Sequence, residues 1–240
     1  MTPDRRNPIF AAIDTPDRDR ARDLAQRVGD AVGGIKLGLE FFNAHGPEGV
    51  RDVASGHENL FLDLKYHDIP NTVAGAVRAA VRLRPMILNV HAAGGPAMMQ
   101  AARQAAAEEA ARLGVRRPLV LAVTVLTSLD DGDLEAVGQS GPIGGQVVRL
   151  ARLARDCGLD GVVCSPLEIV ATREACGPDF TLVVPGIRPA GAAAGDQKRI
   201  MTPAEALAAG ADWLVIGRPI TGAPDPAAAA RRISADLALS

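Results

Sequence analysis

Three charged residues stand in a stretch that otherwise reads as a buried strand: Phe61-Leu62-Asp63-Leu64-Lys65, continued by Tyr66-His67-Asp68. Side chains alternate faces along a strand, so Asp63 and Lys65 share one face while Leu62 and Leu64 share the other. The apolar pair can pack outward, which turns the charged pair inward. A charge buried without a partner is costly. Taken alone, Asp63 and Lys65 could be one structural ion pair. Lys36, however, sits within the equally apolar Gly34-Ile35-Lys36-Leu37-Gly38, and Asp14 closes Ala12-Ile13-Asp14. Carboxylates and lysines gathered from neighbouring strands look more like a site than a staple. Carboxylates beside a lysine favour an ammonium able to donate a proton. They would also repel a carboxylate on a bound molecule and favour its loss as neutral CO2, though a fixed ammonium facing a developing carbanion is the safer source of catalysis.

A second set of residues suits an anion. Pro185-Gly186-Ile187-Arg188 and Ile216-Gly217-Arg218-Pro219 each join glycine to arginine just after an apolar run. Glycine lets backbone N–H groups approach a phosphate, and arginine supplies forked donors. One such pair would suit a surface turn; two point to a phosphate site. The segment from Pro189 to Thr202, rich in Gly and Ala and containing Gln197, reads as a lid.

The elements that must position these groups are short apolar runs alternating with longer Ala/Leu/Arg-rich segments. Strands are predicted at Ile9–Ile13, Ile35–Leu39, Leu60–Leu64, Met86–Val90, Leu119–Val125, Gly161–Cys164, Thr181–Val184 and Trp213–Ile216. Helices are predicted at Asp17–Val28, Thr72–Leu83, Ala97–Leu113 and Gly145–Cys157. Ile9, Ile35, Phe61 and Ile87 recur at even intervals, about the length of one strand, one helix and two turns. With 240 residues and no Pro/Gly/Ser linker, these units predict a single-domain (β/α)8 TIM barrel spanning 1–240. In that fold the strands' C-terminal ends carry the active site, and the loops after strands seven and eight carry phosphate. The first βα turn lacks the GxGxxG fingerprint of dinucleotide binding.

Composition narrows the partners. Lys and Arg total 26 against 28 Asp and Glu, without the basic excess of a nucleic-acid binder. No apolar run approaches the roughly 20 residues that span a bilayer, and the polar N-terminus lacks the apolar core of a signal peptide. Cys157, Cys164 and Cys176 fit no metal motif and read as reduced thiols. The expected setting is the cytoplasm.

The motifs together resemble the orotidine 5′-monophosphate decarboxylase family, most closely its bacterial type-one branch. Asp63–Thr72 (DLKYHDIPNT) is similar to the family's DxKxxD core extended by IPNT. The likeness continues through IKLG at 35–38, NVHA at 89–92, AVTVLTS at 122–128, DGVVCS at 160–165, PGIRP at 185–189, GDQKRIMTP at 195–203 and VIGRP at 215–219. The resemblance implies a cofactor-independent, metal-free lyase that decarboxylates orotidine 5′-monophosphate. It casts Lys65 as the donor of a proton to C6 and Asp63 as the carboxylate beside the substrate's own. Lys36 would bridge Asp63 and the ribose, Asp14 would bind ribose hydroxyl and Thr127 the pyrimidine. Arg188, Gln197, Gly217 and Arg218 would grip phosphate, with Pro185 among the substrate-binding residues. Asp68 and Thr72 would cross a homodimer interface into the partner's site. Two other readings stand beside this one: a Mg2+-dependent sugar-phosphate decarboxylase or aldolase of the same superfamily, and a non-catalytic phosphate-binding barrel. His67, His91 and Trp213 read as structural.

Overall fold

The structure, a computed structural model, describes residues 7–139, 141–189 and 201–238. Eight parallel strands close into a barrel in chain order, with β1 paired to both β2 and β8. They are β1 (Ile9–Ile13), β2 (Gly34–Gly38), β3 (Leu60–Tyr66), β4 (Ile87–His91), β5 (Leu119–Val123), β6 (Gly161–Val163), β7 (Thr181–Val184) and β8 (Trp213–Ile216). The predicted single (β/α)8 barrel is the fold observed. Strand ends shift by up to two residues: β3 runs on to Tyr66, and β5 stops at Val123 so that Thr124 and Val125 become loop.

Helices surround the barrel. The connections include α1 (Arg18–Val28), α2 (Leu39–Val53), α3 (Pro70–Val81), α4 (Pro96–Leu113), α5 (Asp131–Ala136), α6 (Ile143–Asp156), α7 (Ile169–Cys176), α8 (Pro203–Ala208), α9 (Arg218–Thr221) and α10 (Pro226–Ala238). Their starts follow local chemistry. Asp17 caps α1 by accepting from the N–H groups of Asp19 and Arg20. Pro70 opens α3 and Pro96 opens α4, where a missing N–H does no harm. In α6, Val147, Leu150, Ala151 and Ala154 recur at helical spacing and are buried. Each such Val or Leu contributes about 1.5–3 kcal/mol by leaving water. Among the described residues, no helix is long and apolar enough to cross a membrane.

Alternation divides every strand but β2 between two cores. Ile9, Ala11, Ile35, Leu37, Leu62 and Leu64 pack outward in the larger core. Phe10, Phe61, Ile87, Leu121, Val183 and Trp213 pack together inside the barrel. Phe10 meets Trp213 at a ring separation of 4.8 Å and Phe61 at 5.9 Å. Gly34 leaves room for this, since a Cβ there would lie 2.5 Å from Phe10 Cε1. Below the plug, Asp160 precedes β6 and accepts from the Val120 N–H at 2.8 Å, and its carboxylate also takes both guanidinium ends of Arg117. Asp212 repeats the device before β8, with the Leu182 N–H at 2.8 Å and Arg173 at 2.7 Å. The barrel is therefore plugged and tied at its N-terminal end, and the polar residues of the strands collect at the other end.

Candidate active site

At that end the charges form a chain of alternating sign. Lys36 Nζ lies 3.0 Å from Asp14 Oδ1 and 3.3 Å from Asp63 Oδ2; Lys65 Nζ lies 2.6 Å from Asp63 Oδ1. Burial deepens toward the middle: the side chains of Lys36 and Asp63 are 8% and 11% exposed, that of Lys65 28% and that of Asp14 59%. Burial works against charge on Asp63, but Lys36 and Lys65, together with hydrogen bonds from Lys65 and Asn89, outweigh it and hold its carboxyl below the ordinary range. Burial likewise opposes charge on Lys36, and Asp63 and Asp14 overcome it, raising the ammonium above its usual value. Each buried charge thus depends on its neighbours, and removing one partner of such a pair typically costs about 3–5 kcal/mol. Gly38 keeps Lys36 unobstructed, because a Cβ there would stand 3.2 Å from its Nζ.

Lys65 reaches its place through an irregular backbone. Leu62 pairs with Leu88, but the next pair across β3 and β4 is Tyr66 with Val90. Lys65, inside the resulting bulge, has φ 47° in the left-handed region, which side-chain-bearing residues seldom adopt. Its N–H donates to Asn89 Oδ1 at 2.8 Å, while Asn89 Nδ2 donates to Asp63 Oδ1 at 2.7 Å.

A cavity of about 400 Å3 opens beside these charges, within the range that holds a small ligand, about 300–1,000 Å3. Asp14, Lys36, Asp63 and Lys65 line it from β1 to β3, Val125, Leu126 and Thr127 from beyond β5, and Pro185, Gly186, Arg188, Gly217 and Arg218 from beyond β7 and β8. Gly186 has φ 78°, a conformation natural to glycine, at the turn leading out of β7. Apolar surface completes the wall, from Ala12, Phe61, Val123, Val163, Cys164 and Val215. The arrangement offers, in one cavity, an ammonium beside a buried carboxylate, two arginines and apolar wall.

Most residues singled out in the sequence meet in this one cavity. Asp68 and Thr72 do not: both are exposed and lie outside its lining. Asp68 Oδ1 instead accepts from the neighbouring Ile69 N–H at 2.6 Å. Gln197 and most of the proposed lid fall outside the described residues, but its base is fixed by a bridge between Ile187 and Met201. His91 ends β4 half-buried with its ring 5.4 Å from that of exposed His67. Asn89 escaped sequence reasoning as an individual residue, although a lone amide on the lumen phase of an apolar strand was a readable signal. Asp14 and Asp63 are carboxylates that could approach a cation, but Lys36 lies between them within 3.3 Å of both.

Comparison with known proteins agrees with this geometry. The sequence profile of the Orotidine 5′-phosphate decarboxylase / HUMPS family matches residues 7–233. A curated orotidine 5′-phosphate decarboxylase of Paramagnetospirillum magneticum is 59% identical over 97% of this chain and 99% of its own. One from Rhodospirillum rubrum is 60% identical over 96% of this chain and 94% of its own. The crystal structure of orotidine 5′-phosphate decarboxylase from Lactobacillus acidophilus superposes with a TM-score of 0.85 at 36% identity, covering 96% of this chain and 99% of that one.

Proposed function

The chain belongs to the orotidine 5′-phosphate decarboxylase / HUMPS family, and from that membership and its alternating charge array we infer how it works. It is a carboxy-lyase that converts orotidine 5′-monophosphate to uridine 5′-monophosphate and CO2, the last step of de novo UMP biosynthesis. The observation that carries the mechanism is Lys65 Nζ held 2.6 Å from the buried Asp63 carboxylate in the cavity that also contains Arg188 and Arg218.

In this mechanism the phosphate takes the arginine end and the pyrimidine the apolar slot, with Thr127 at its edge. The substrate carboxylate then lies against Asp63. The C6–carboxylate bond breaks, its electron pair stays on C6, and CO2 leaves. The Lys65 ammonium stabilises that pair and delivers a proton to C6, becoming an amine that regains its proton from water. Lys36 holds Asp63 and reaches the ribose, whose hydroxyls meet Asp14. No metal or organic cofactor takes part: Lys36 and Lys65 supply the cationic charge that the carboxylates require. The direct test is loss of orotidine 5′-monophosphate absorbance with the purified protein after prolonged chelation. Full activity is expected. Activity lost on chelation and restored by Mg2+ would reject the metal-free mechanism.

The phosphate assignment makes a separate prediction. A charge-assisted bond contributes about 1.5–3 kcal/mol, so Arg218→Ala should lower kcat/KM for the nucleotide by roughly ten- to a hundredfold. Orotidine without phosphate should be a poor substrate for the unmodified enzyme and nearly indifferent to Arg218→Ala. An equal penalty on both substrates in steady-state assays would remove Arg218 from the phosphate site.

The same reading takes residues 1–240 as one catalytic domain acting in the cytoplasm, where Cys157, Cys164 and Cys176 would remain reduced, outside any disulfide. It makes the enzyme a homodimer whose active sites are shared, with no nucleic-acid partner. The exposure of Asp68 and Thr72 outside their own cavity supports that sharing.

A further inference from the structure

Asn89 is fully buried on β4 and spends both ends of its amide on the two residues assigned to the chemistry. Its side chain occupies the break in the β3–β4 ladder. Between the pairs Leu62–Leu88 and Tyr66–Val90, Asn89 alone faces Asp63, Leu64 and Lys65. A regular strand would satisfy the Lys65 N–H with a backbone carbonyl; here the side-chain carbonyl of Asn89 does so. Bulges of this kind re-aim a side chain, and a left-handed non-glycine residue persists only where its surroundings hold it.

We propose that Asn89 is a positioning residue for proton transfer: one neutral amide locks the left-handed backbone of Lys65 and orients the Asp63 carboxylate, so that donor and carboxylate are aimed together. The inference rests on Lys65 being the proton donor. The amide suits the task because it is both donor and acceptor. Leucine would leave the Lys65 N–H unbonded and take a donor from Asp63. A carboxylate would keep the acceptor but place a second negative charge against Asp63. A protonated carboxylic acid would restore the donor.

The test compares Asn89→Leu and Asn89→Asp with the unmodified enzyme, following kcat, KM, binding of uridine 5′-monophosphate and thermal stability between about pH 5 and 9. Asn89→Leu should lower kcat roughly a hundredfold, of the order seen when a preorganised hydrogen-bond donor is lost. KM and product binding should stay within a few-fold of normal. For Asn89→Asp, the ratio of kcat to that of the unmodified enzyme should rise as pH falls, because the introduced acid sits beside a carboxylate and its neutral form is the one that fits. If Asn89→Leu does not fold, the pH dependence of Asn89→Asp still decides the matter. A purely structural role would lower thermal stability while the folded variants kept the normal kcat and its pH profile; that result overturns the proposal, as does a change confined to KM. An enzyme that keeps turnover after Lys65→Ala would refute the underlying mechanism instead, so the two failures are distinct.

Discussion

Lys65→Ala is expected to lose turnover by about 10^4-fold or more. A positioned proton donor contributes roughly 10^2- to 10^4-fold, and a preorganised charge facing developing charge contributes about 10^2- to 10^3-fold. In the proposed mechanism Lys65 combines both roles, its ammonium facing the electron pair left on C6 and then protonating it. Binding should survive. The phosphate contacts are proposed at other residues of the cavity, Arg188 and Arg218, so a non-reactive nucleotide analogue should still titrate the variant. The fold should also survive, because Asp63 retains Lys36 at 3.3 Å and Asn89 at 2.7 Å. Single-turnover kinetics and analogue titration on the same preparation check the prediction. Turnover within about tenfold of normal, the scale of one modest interaction, would dismiss Lys65 as the proton donor.

The second large effect comes from mixing two dead enzymes. Asp68 lies just beyond β3 on an exposed corner, hydrogen-bonded to the Ile69 N–H, with Ile69 itself 66% exposed. An exposed apolar side chain beside an acidic one at the barrel mouth suits a surface that meets a second copy. A two-fold dimer makes any exchange of residues reciprocal. Lys65→Ala and Asp68→Ala should each be nearly inactive as homodimers. In a mixed dimer, one site then carries both defects and the other neither. Random exchange makes about half the dimers mixed, each with one intact site of two, so about a quarter of normal activity should return. Were Asp68 to serve its own barrel, every site would carry one defect and mixing would restore nothing. Activity measured after denaturation and joint refolding, with exchange verified by differently tagged subunits, separates the two outcomes.

Much of this molecule was legible before any coordinates. Apolar runs bounded by turn residues predicted Ile9–Ile13, Thr181–Val184 and Trp213–Ile216 to the residue, because buried parallel strands must be apolar on both faces. The same alternation placed Asp63 and Lys65 on one face, as observed. The even spacing of Ile9, Ile35, Phe61 and Ile87 was also real, but it measures the length of a βα unit and not equivalence. Ile9 and Ile35 face the helices, whereas Phe61 and Ile87 face the lumen.

What the linear pattern could not contain is set by closure of the barrel. Periodicity gives a face for each residue but no register between strands. It therefore could not give the 3.0 and 3.3 Å contacts by which Lys36 binds Asp14 and Asp63; that Arg188 and Arg218 would share their cavity came from the barrel fold and the family resemblance and not from periodicity. The bulge at Lys65 is equally invisible, since it exists only as a mismatch between β3 and β4. A lysine with φ 47° runs against local preference, and its N–H is bonded by the amide of Asn89, 24 positions away in sequence. The residue types and their phase along each strand determined which groups would meet in the lumen. Their distances and partners, and the backbone strain that aims Lys65, were decided by strands brought together across the closed sheet.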